Sequence, residues 1–432
     1  MSNTFCPLPW VHQAIKNNGD VRVCCQANVT PTQGILPFNA ARDNLKDARN
    51  ADLVKEVRLT MLDGKWSSEC GRCQKEEESG MTSRRLNELE QWDFTVEDAK
   101  AATQVDGSID LETRSYDLRF GNTCNLACRM CGPTDSHSWY EDWVAYDQKE
   151  GFLDTHGWVK LVRNDSGRWH TNDYNWHESE SFWEQIENRI LNIEHVYMAG
   201  GEPLIIERHT EFLEKCISAN RAKDIVLEYN TNITTLPKRI LKMWTHFKQV
   251  RVGASVDGFG AMQEYQRYPI KWSQTLKNLQ QLDDLAVAND NILPHITFTV
   301  TAYNAFHLPE FMWWKLQDSG FKKINSMARR PVITSHPVHQ PYCISLRMYP
   351  EAIRKKLEAH YVMWTKKFED SSLPLYVQTA AINILSSTIN FMRQEDLSAE
   401  RISEFVRFTN IIDQRRNQNI KDVVPELGEL FD

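Results

Sequence analysis

The sequence predicts an α/β fold: a partial (β/α)6 barrel of the TIM type, with a small module before it and a helical extension after it. From residue 115 onward, short β-like runs alternate with helix-length segments, which is the pattern of βα units around a parallel sheet. Six such runs are too few for a complete eight-stranded barrel. The candidate strands are 115–121, 194–199, 224–230, 249–256, 294–302 and 322–327.

The length of 432 residues exceeds the size at which single domains usually stop growing. We expect a cysteine-rich module at 1–80, a polar connector at 81–112, the barrel at 113–345 and a helical region at 346–432. About 70 residues separate Cys131 from the strand end at Gly200, more than one crossover helix needs, which predicts an insertion around 135–185. Its aromatic rings either line a substrate cavity or, as we favour, build its own packing. The tryptophans are Trp139, Trp143, Trp158, Trp169, Trp176 and Trp183.

The composition is that of a globular protein, with 41% hydrophobic and 25% charged residues. A net charge of -8 argues against a wide surface for phosphate backbones, so nucleic acid is not the expected substrate. No secretory signal and no apolar run of membrane-spanning length is present, so we expect a cytoplasmic protein without a membrane partner. Thiols in that compartment stay reduced, and the ten cysteines therefore suggest metal ligands.

Three cysteines with the spacing C-x3-C-x2-C follow the first candidate barrel strand, at Cys124, Cys128 and Cys131. Three thiolates on one tight loop can bind three irons of a four-iron cubane, whereas the usual ferredoxin cluster has four protein ligands. The fourth iron is then open to another ligand. A zinc loop with a distant fourth ligand and a set of buried structural thiols are the alternatives from spacing alone.

This loop resembles that of the radical S-adenosylmethionine (SAM) superfamily. The resemblance implies a four-iron four-sulfur cluster whose open iron binds the amino and carboxylate groups of SAM, and reductive cleavage to a 5′-deoxyadenosyl radical. The family usually has an aromatic residue before the third cysteine, near the adenine. Here that residue is Met130, which is also apolar and polarizable.

The second candidate strand ends in a run that matches the family's GGEP motif, with residues Gly200, Gly201, Glu202 and Pro203. Glycines let the backbone approach a ligand closely, and by resemblance Glu202 accepts hydrogen bonds from the SAM ammonium. The third strand runs into a turn similar to the family's TNG turn. Asn230 and Asn232 carry over as SAM-site residues, although Ile233 stands where the family has glycine.

The fourth and fifth strands also end in polar residues. The run ValGlyAlaSerValAspGlyPheGly resembles the family's S-[LV]-D-G motif, which implies that Ser255 binds the ribose. Arg267 is expected to pair with the SAM carboxylate in a bidentate geometry that lysine could not copy. Asp257 is expected either to touch substrate or to cap the next helix, and Asn304 to lie near SAM.

The first 80 residues hold a second group of cysteines, in the pattern C-x12-G-x4-C followed by C-x2-C. Gly19 is the glycine of an expected hairpin turn. The group resembles a twitch domain, the shortened form of the SPASM domain, which implies one auxiliary four-iron four-sulfur cluster; a four-thiolate zinc site is the alternative. Such modules generally follow the barrel, and this one precedes it. The expected ligands are Cys6, Cys24, Cys70 and Cys73, and Cys25 could replace Cys24.

Two other cysteines and two histidines have less specific surroundings. Cys216 lies on an apolar helical face and is expected in the core. Cys343 is a candidate catalytic residue, as a radical donor or substrate ligand, with a buried thiol as the favoured alternative. For His336 and His339 we expect loop solvation rather than catalysis.

The resemblance extends to the tail at 412–427, which is similar to the ending of twitch-domain radical SAM proteins. We therefore expect an enzyme with SAM and two clusters that abstracts hydrogen from a peptide, protein or amino-acid-like substrate. Its electron would come from an external one-electron donor such as a flavodoxin or ferredoxin. The alternatives are modification of a nucleotide or nucleic-acid base, with Arg329 and Arg330 in a basic groove, and a non-catalytic electron-transfer protein.

Overall fold

The structure is a computed structural model that describes residues 4–27, 30–34, 36–150, 159–325 and 331–432. Its main feature is an eight-stranded, mostly parallel sheet with the strand order β12-β11-β10-β9-β8-β5-β1-β2. Two short hairpins, β3 with β4 and β6 with β7, stand outside it. The strands are β1 His12–Ile15, β2 Val21–Arg22, β3 Thr32–Gln33, β4 Leu36–Pro37, β5 Ser115–Arg119, β6 Val162–Arg163, β7 Trp169–His170, β8 His195–Ala199, β9 Val226–Thr231, β10 Gln249–Ser255, β11 Ile292–Val300 and β12 Thr334–Pro337.

Helices occupy most of the chain between and after the strands of the sheet. None of those described is both long and apolar enough to cross a membrane. The helices are α1 Leu8–Val11, α2 Leu45–Arg49, α3 Asp52–Leu62, α4 Gly71–Glu78, α5 Arg84–Gln91, α6 Val96–Ala102, α7 Tyr140–Glu150, α8 Glu180–Glu187, α9 Glu207–Ser218, α10 Lys238–Trp244, α11 Ala261–Gln266, α12 Trp272–Ala288, α13 Leu308–Gln317, α14 Glu351–Glu369, α15 Leu375–Arg393, α16 Ser398–Arg416 and α17 Ile420–Val423.

The chain divides into two compact units whose boundaries differ from the expected domains. The first unit comprises 1–123, 172–229 and 237–250, and the second comprises 124–171, 230–236 and 251–432. Residues 1–80 are not set apart from the sheet, because β1 pairs in parallel with β5, with His12 opposite Ser115. The polar segment 81–112, expected as a connector, contains the helices α5 and α6.

The hairpin expected around Gly19 is present. β1 and β2 pair antiparallel with Ile15 opposite Val21, and Gly19 lies in the turn with a φ of +86°. A left-handed backbone of this kind is open to glycine at no steric cost. A Cβ atom at this position would also lie 2.7 Å from the Cβ atom of Trp176, so both conformation and space require glycine here.

Five of the six candidate barrel strands are confirmed with small shifts of their ends, and the sixth, 322–327, is wrong. Residues 322–325 form bends and turns, 326–327 lie outside the described residues, and the next strand is β12 at Thr334–Pro337. The physical reason is the buried carboxylate of Asp283. It accepts backbone N–H bonds from Lys322 at 2.8 Å, Lys323 at 2.8 Å and Ile324 at 2.7 Å. These amides are therefore not available to a strand ladder.

We predict that Asp283→Ala lowers the free energy of unfolding by about 3 kcal/mol, because buried amides lose their acceptor. Asp284→Ala is the matched control, since this neighbouring side chain is exposed and should change stability by less than about 0.5 kcal/mol. Urea unfolding followed by circular dichroism measures both. Equal stabilities of the two variants would contradict this role for Asp283.

Candidate active site

The cysteine loop lies in the second unit. Cys124 and Cys128 are 7% and 4% exposed and pack with Leu126 and Ile270, against which Met130 and Cys131 are partly buried. A hydrogen bond between the Cys128 and Cys131 thiols lowers the pKa of Cys128 and, together with burial, raises that of Cys131 well above its usual range. The predicted thiols are thus together on one buried loop.

Backbone and side-chain hydrogen bonds hold this loop in place. The amides of Ala127 and Arg129 donate to the carbonyls of Tyr268 and Gln266, each at 2.8 Å. The Trp139 indole N–H donates to the carbonyl of the second cysteine at 2.9 Å. The path of the chain through the three cysteines is therefore fixed from both sides, independently of any metal.

Arg129, between the second and third cysteines, is fully buried and meets the C-terminal segment. Its guanidinium carbon lies 3.6 Å from the ring centre of Tyr265. One terminal nitrogen donates to the carboxylate of Asp413 and, at 2.9 Å, to the side-chain oxygen of Gln418. Asp413 also accepts the amide of Ile420 at 2.8 Å. The tail that resembled family members at 412–427 thus binds the cysteine loop directly.

Two side-chain N–H groups are directed at cysteine sulfurs. The Asn232 amide nitrogen lies 3.7 Å from Cys124 Sγ, and a terminal nitrogen of Arg267 lies 3.7 Å from Cys128 Sγ. Hydrogen bonds to the sulfurs are one of the means by which proteins tune an iron–sulfur cluster. Three soft, buried thiols with N–H donors around them fit the ligand set that a four-iron cluster requires.

Arg267 is oriented by Asp257, whose expected contact with substrate remains a prediction. Arg267 Nε donates to Asp257 Oδ2 at 2.6 Å, and the amide of Thr299 donates to Oδ1 at 2.7 Å. Burial opposes the charge on Arg267, but the carboxylate outweighs this and raises its pKa. Asp257 does not cap α11, which begins at Ala261 after Gly260.

Asn304 supports the same turn through its side chain. Its amide nitrogen donates to the carbonyls of Asp257 at 3.1 Å and Thr299 at 3.0 Å, and its oxygen accepts the amide of Thr301 at 2.7 Å. The side chain is fully buried. Asn304 therefore fixes the backbone beside Arg267. Ser255, the last residue of β10, is half-buried.

The backbone conformation of Ile233 explains why the similar turn of the radical SAM family contains glycine at this position. Its φ is +49°, in the left-handed region that is a genuine outlier for a β-branched residue. Hydrogen bonds impose this conformation: the Ile233 amide donates to Thr231 Oγ1 at 3.1 Å, and its carbonyl accepts from the Asn278 side chain at 2.6 Å. The turn keeps its shape without glycine and holds Asn232 in position, at the cost of local strain.

The GGEP motif lies in the first unit and binds the backbone that follows β5. The Gly201 amide donates to the Gly121 carbonyl at 3.0 Å, and the Glu202 amide donates to the Thr123 carbonyl at 2.8 Å. A Cβ atom on Gly201 would lie 2.1 Å from the Thr123 oxygen, and Gly200 has a φ of +84°. Both glycines are therefore required by close approach or conformation.

Glu202 is almost fully buried, and one of its carboxylate oxygens accepts the amide of Leu204 at 3.1 Å. This bond heads the short turn that starts at Pro203. The carboxylate is thus held in one orientation. Its predicted contact with an ammonium group remains a prediction.

The second cysteine group also lies in the first unit. One cavity is lined by all four predicted ligands together with arginines, whose positive charge would favour thiolates. Cys25 is not part of the lining; its sulfur instead lies 2.6 Å from a terminal nitrogen of Arg84. The lining includes Cys6, Cys24, Cys70, Cys73, Arg72, Arg84 and Arg85.

The four thiols that line this cavity favour their protonated form. Burial raises the pKa of Cys24 to about 12 and that of Cys70 to about 12. A metal that binds here must displace those protons. Among the described residues, no three side chains of the metal-binding types are grouped closely enough to hold a single metal ion.

The remaining candidate residues are explained by packing or exposure. Cys216 is fully buried on α9, as expected, and Cys343 is 1% exposed; a catalytic role of Cys343 remains a prediction. His336 is exposed, and the His339 ring lies 4.9 Å from the Phe391 ring. Arg329 and Arg330, the basis of the nucleic-acid alternative, lie outside the described residues.

The insertion uses its tryptophans mainly for packing. Within the second unit Trp139 stacks on Phe408 at 6.0 Å, and within the first unit Trp176 and Trp183 stack on Phe120 at 6.0 and 6.1 Å. Trp143 is also buried and Trp169 is half-buried. Trp158 lies outside the described residues. Four buried rings support the packing interpretation over a cavity lining.

Sequence reasoning missed the residues that support the loop from a distance. His137 accepts the amide of Cys124 at 3.1 Å, and Asp413 and Gln418 bind Arg129. The sequence did contain a signal for a partner of Arg129. An arginine inside a buried cysteine loop needs a buried carboxylate, which Asp413 supplies. The pattern does not indicate which of many acidic residues supplies it.

Residues 118–301 match the family model of the Radical SAM superfamily. This stretch, less than half of the chain, is thus similar to a Radical SAM superfamily domain. Members hold a four-iron four-sulfur cluster and SAM, so the match supports the predicted SAM-binding iron–sulfur site. It also supports the prediction of an enzyme and leaves the reaction undetermined. No curated protein matches the chain.

Solved structures similar to this chain include "Native anSMEcpe with bound AdoMet", at 19% identity, a TM-score of 0.36 and coverage of 59% of this chain and 61% of that one. SuiB of Streptococcus suis matches at 11% identity and a TM-score of 0.34, with 74% and 64% covered. SuiB bound to its precursor peptide SuiA matches at 10% and 0.31, with 77% and 66% covered. The chain thus spans about two thirds or less of the length of these structures.

We predict that Asp413→Ala lowers the free energy of unfolding by about 3–5 kcal/mol, because Arg129 remains buried without its carboxylate. Asp422→Ala, an exposed aspartate on α17, is the control and should have little effect. The double variant Arg129→Met/Asp413→Leu removes both charges and should recover most of the loss. Urea unfolding measures all three, and a double variant no more stable than Asp413→Ala would contradict the unpaired-charge explanation.

Proposed function

We propose that this chain reductively cleaves SAM to a 5′-deoxyadenosyl radical and abstracts hydrogen from a peptide, protein or amino-acid-like substrate. The observation that carries the proposal is the buried loop of Cys124, Cys128 and Cys131, with N–H donors 3.7 Å from two of its sulfurs. The loop supplies three cysteines, whereas a structural zinc site takes four protein ligands, so the ligand number favours a cluster with one open iron. The similarity of residues 118–301 to a Radical SAM superfamily domain supports the same assignment.

When bound at the loop, a four-iron cluster supplies one electron to SAM and an open iron that binds it. The chain's own residues stabilise negative charge at the cysteine sulfurs and keep Arg267 in its orientation. Asn232 and Arg267 donate N–H groups towards cysteine sulfurs, which favours the anionic form of a thiolate-bound centre. Asp257 keeps Arg267 ionised and in place. Burial of the loop limits access of water to it.

The SAM contacts carried over from the resemblance complete the proposal. Glu202 is oriented by Leu204 to accept an ammonium group, and Ser255 stands at the end of β10 for the ribose. Arg267 is proposed to bind the SAM carboxylate in addition to the sulfur of Cys128. Neighbouring backbone atoms leave no room for a side chain at Gly200 or Gly201.

We also propose that Cys6, Cys24, Cys70 and Cys73 hold an auxiliary four-iron four-sulfur cluster. Their common cavity and its arginines support this ligand set, and Cys24 rather than Cys25 faces that cavity. A cluster here could accept an electron from the substrate radical or bind substrate. An external flavodoxin or ferredoxin is the proposed reductant for the SAM site.

Anaerobically reconstituted protein is expected to form 5′-deoxyadenosine from SAM when dithionite is added. Cys128→Ala should abolish this product, because the loop then offers two thiols for three irons. Cys216→Ala, at a buried cysteine in the core of the first unit, is the control and should retain it. Chromatography of the quenched reaction measures the product. Absence of cleavage in wild-type protein with full iron content would rule out the proposed reaction.

Iron counting separates the two proposed clusters. The variant with Cys124, Cys128 and Cys131 changed to Ala should retain about four irons, and the variant with Cys6, Cys24, Cys70 and Cys73 changed to Ala should also retain about four. Cys25→Ala is the matched control and should keep about eight. Metal analysis of the purified variants gives these numbers, and zinc in place of iron in the first variant would overturn the auxiliary cluster.

A further inference from the structure

One face of the sheet in the first unit is polar, which is unusual for parallel strands. Parallel strands buried on both faces normally consist of apolar residues throughout. On β5 the residues Tyr116 and Leu118 are buried on one face, whereas Ser115, Asp117 and Arg119 alternate with them on the other. Such a face needs a physical reason, because buried polar groups are costly unless they are bonded.

The polar residues form rows across neighbouring strands. Asp117 lies opposite Ala14 on β1 and opposite Tyr197 on β8, and Tyr197 lies opposite Glu228 on β9. Because paired residues share a face, these side chains stand side by side. The small, fully buried Ala14 stands beside Asp117 in this row.

A second row lies at the amino-terminal ends of these strands. His12 and His195 both hydrogen bond to Ser115 Oγ, at 2.8 and 3.2 Å, and the other nitrogen of His195 lies 3.3 Å from the Glu228 carboxylate. His12, Ser115 and His195 are buried. The carboxyl ends of the strands lie at the opposite end of this face.

Near that end Arg84, Arg119 and Lys16 lie around the carboxylate of Asp117, while the Glu228 carboxylate of the same row faces His195. Asp117 accepts from Arg84 at 3.4 Å and from Arg119 at 3.3 Å, and Arg84 also pairs with Glu88 at 3.1 Å. Two carboxylates thus balance the two arginines. The Arg119 side chain remains 23% exposed.

Lys16 is the cation of this region that is not paired with a carboxylate. It follows β1, whose last residue, Ile15, is opposite Leu118, so Lys16 and Arg119 are neighbours on the polar face. In the part of the chain that the structure describes, no carboxylate lies within ion-pair distance of Lys16. Burial, followed by repulsion from Arg119, lowers the pKa of Lys16 to about 8. An anion bound beside Lys16 would offset its repulsion from Arg119 and favour its charged form.

We propose that Lys16 and Arg119 form a binding subsite for a carboxylate group of the substrate. The guanidinium of Arg119 offers a planar pair of donors that matches a carboxylate, and Lys16 adds an uncompensated charge next to it. Asp117 holds Arg119 in position through its ion pair with the Arg119 guanidinium. The inference rests on the proposed function in one respect only, namely that the ligand is the substrate of the radical reaction.

The test uses anaerobically reconstituted holoenzyme without reductant, so its result does not depend on SAM cleavage. Calorimetric titration compares N-acetylglycine, which carries a carboxylate, with its neutral twin N-acetylglycinamide and with inorganic phosphate. We expect the acid to bind and the amide not to bind. Lys16→Gln should weaken binding of the acid about tenfold or more, and Lys16→Arg should retain it, because the lost interaction is charge-assisted.

Lys100→Gln, which removes an exposed lysine of α6, is the matched control and should bind the acid like the wild type. Lys16→Gln is expected to fold normally, since it removes a buried charge, and its thermal midpoint verifies this. Equal binding of acid and amide, no binding of either anion, or unchanged affinity in Lys16→Gln would each overturn the subsite. Tighter binding of phosphate than of the acid would overturn the carboxylate assignment.

Discussion

The second unit is organised by the need to bury positive charge beside three cysteine thiols. Arg129 and Arg267 both touch the loop, and each is held by a carboxylate, Asp413 or Asp257. An unpaired buried cation would cost several kcal/mol, so the loop and its two partners must be correct together. The pairs make the loop geometry a property of the folded chain rather than of the metal.

The same principle applies to the second cysteine group, where arginines line the cavity of the four thiols. A chain with a net charge of -8 thus concentrates its cations where thiolates would form. The polar face with Lys16 and Arg119 is a third concentration of positive charge, and there Lys16 is not paired with a carboxylate among the described residues. The proposed cluster sites and the proposed carboxylate subsite thus differ in whether the nearby arginines and lysines face thiols or carboxylates.

Much of the fold and the site could be predicted because the signals are local. Strand ends followed by short motifs located the cysteine loop, Glu202 and Arg267, and an alternating pattern located five of the six barrel strands. The errors have distant causes. The strand expected at 322–327 is replaced by turns bound to Asp283, and residues 1–80 join the sheet through a pairing that no local pattern shows. The partner of Arg129 was hidden for the same reason.

The contact between Arg129 and Asp413 joins residues 284 positions apart. During synthesis the three cysteines emerge from the ribosome long before the carboxylate that orients their loop. At about 5–20 residues per second, the loop waits on the order of tens of seconds for that partner. The loop can therefore take its final conformation only after residue 413 has been synthesised and the carboxylate has reached Arg129.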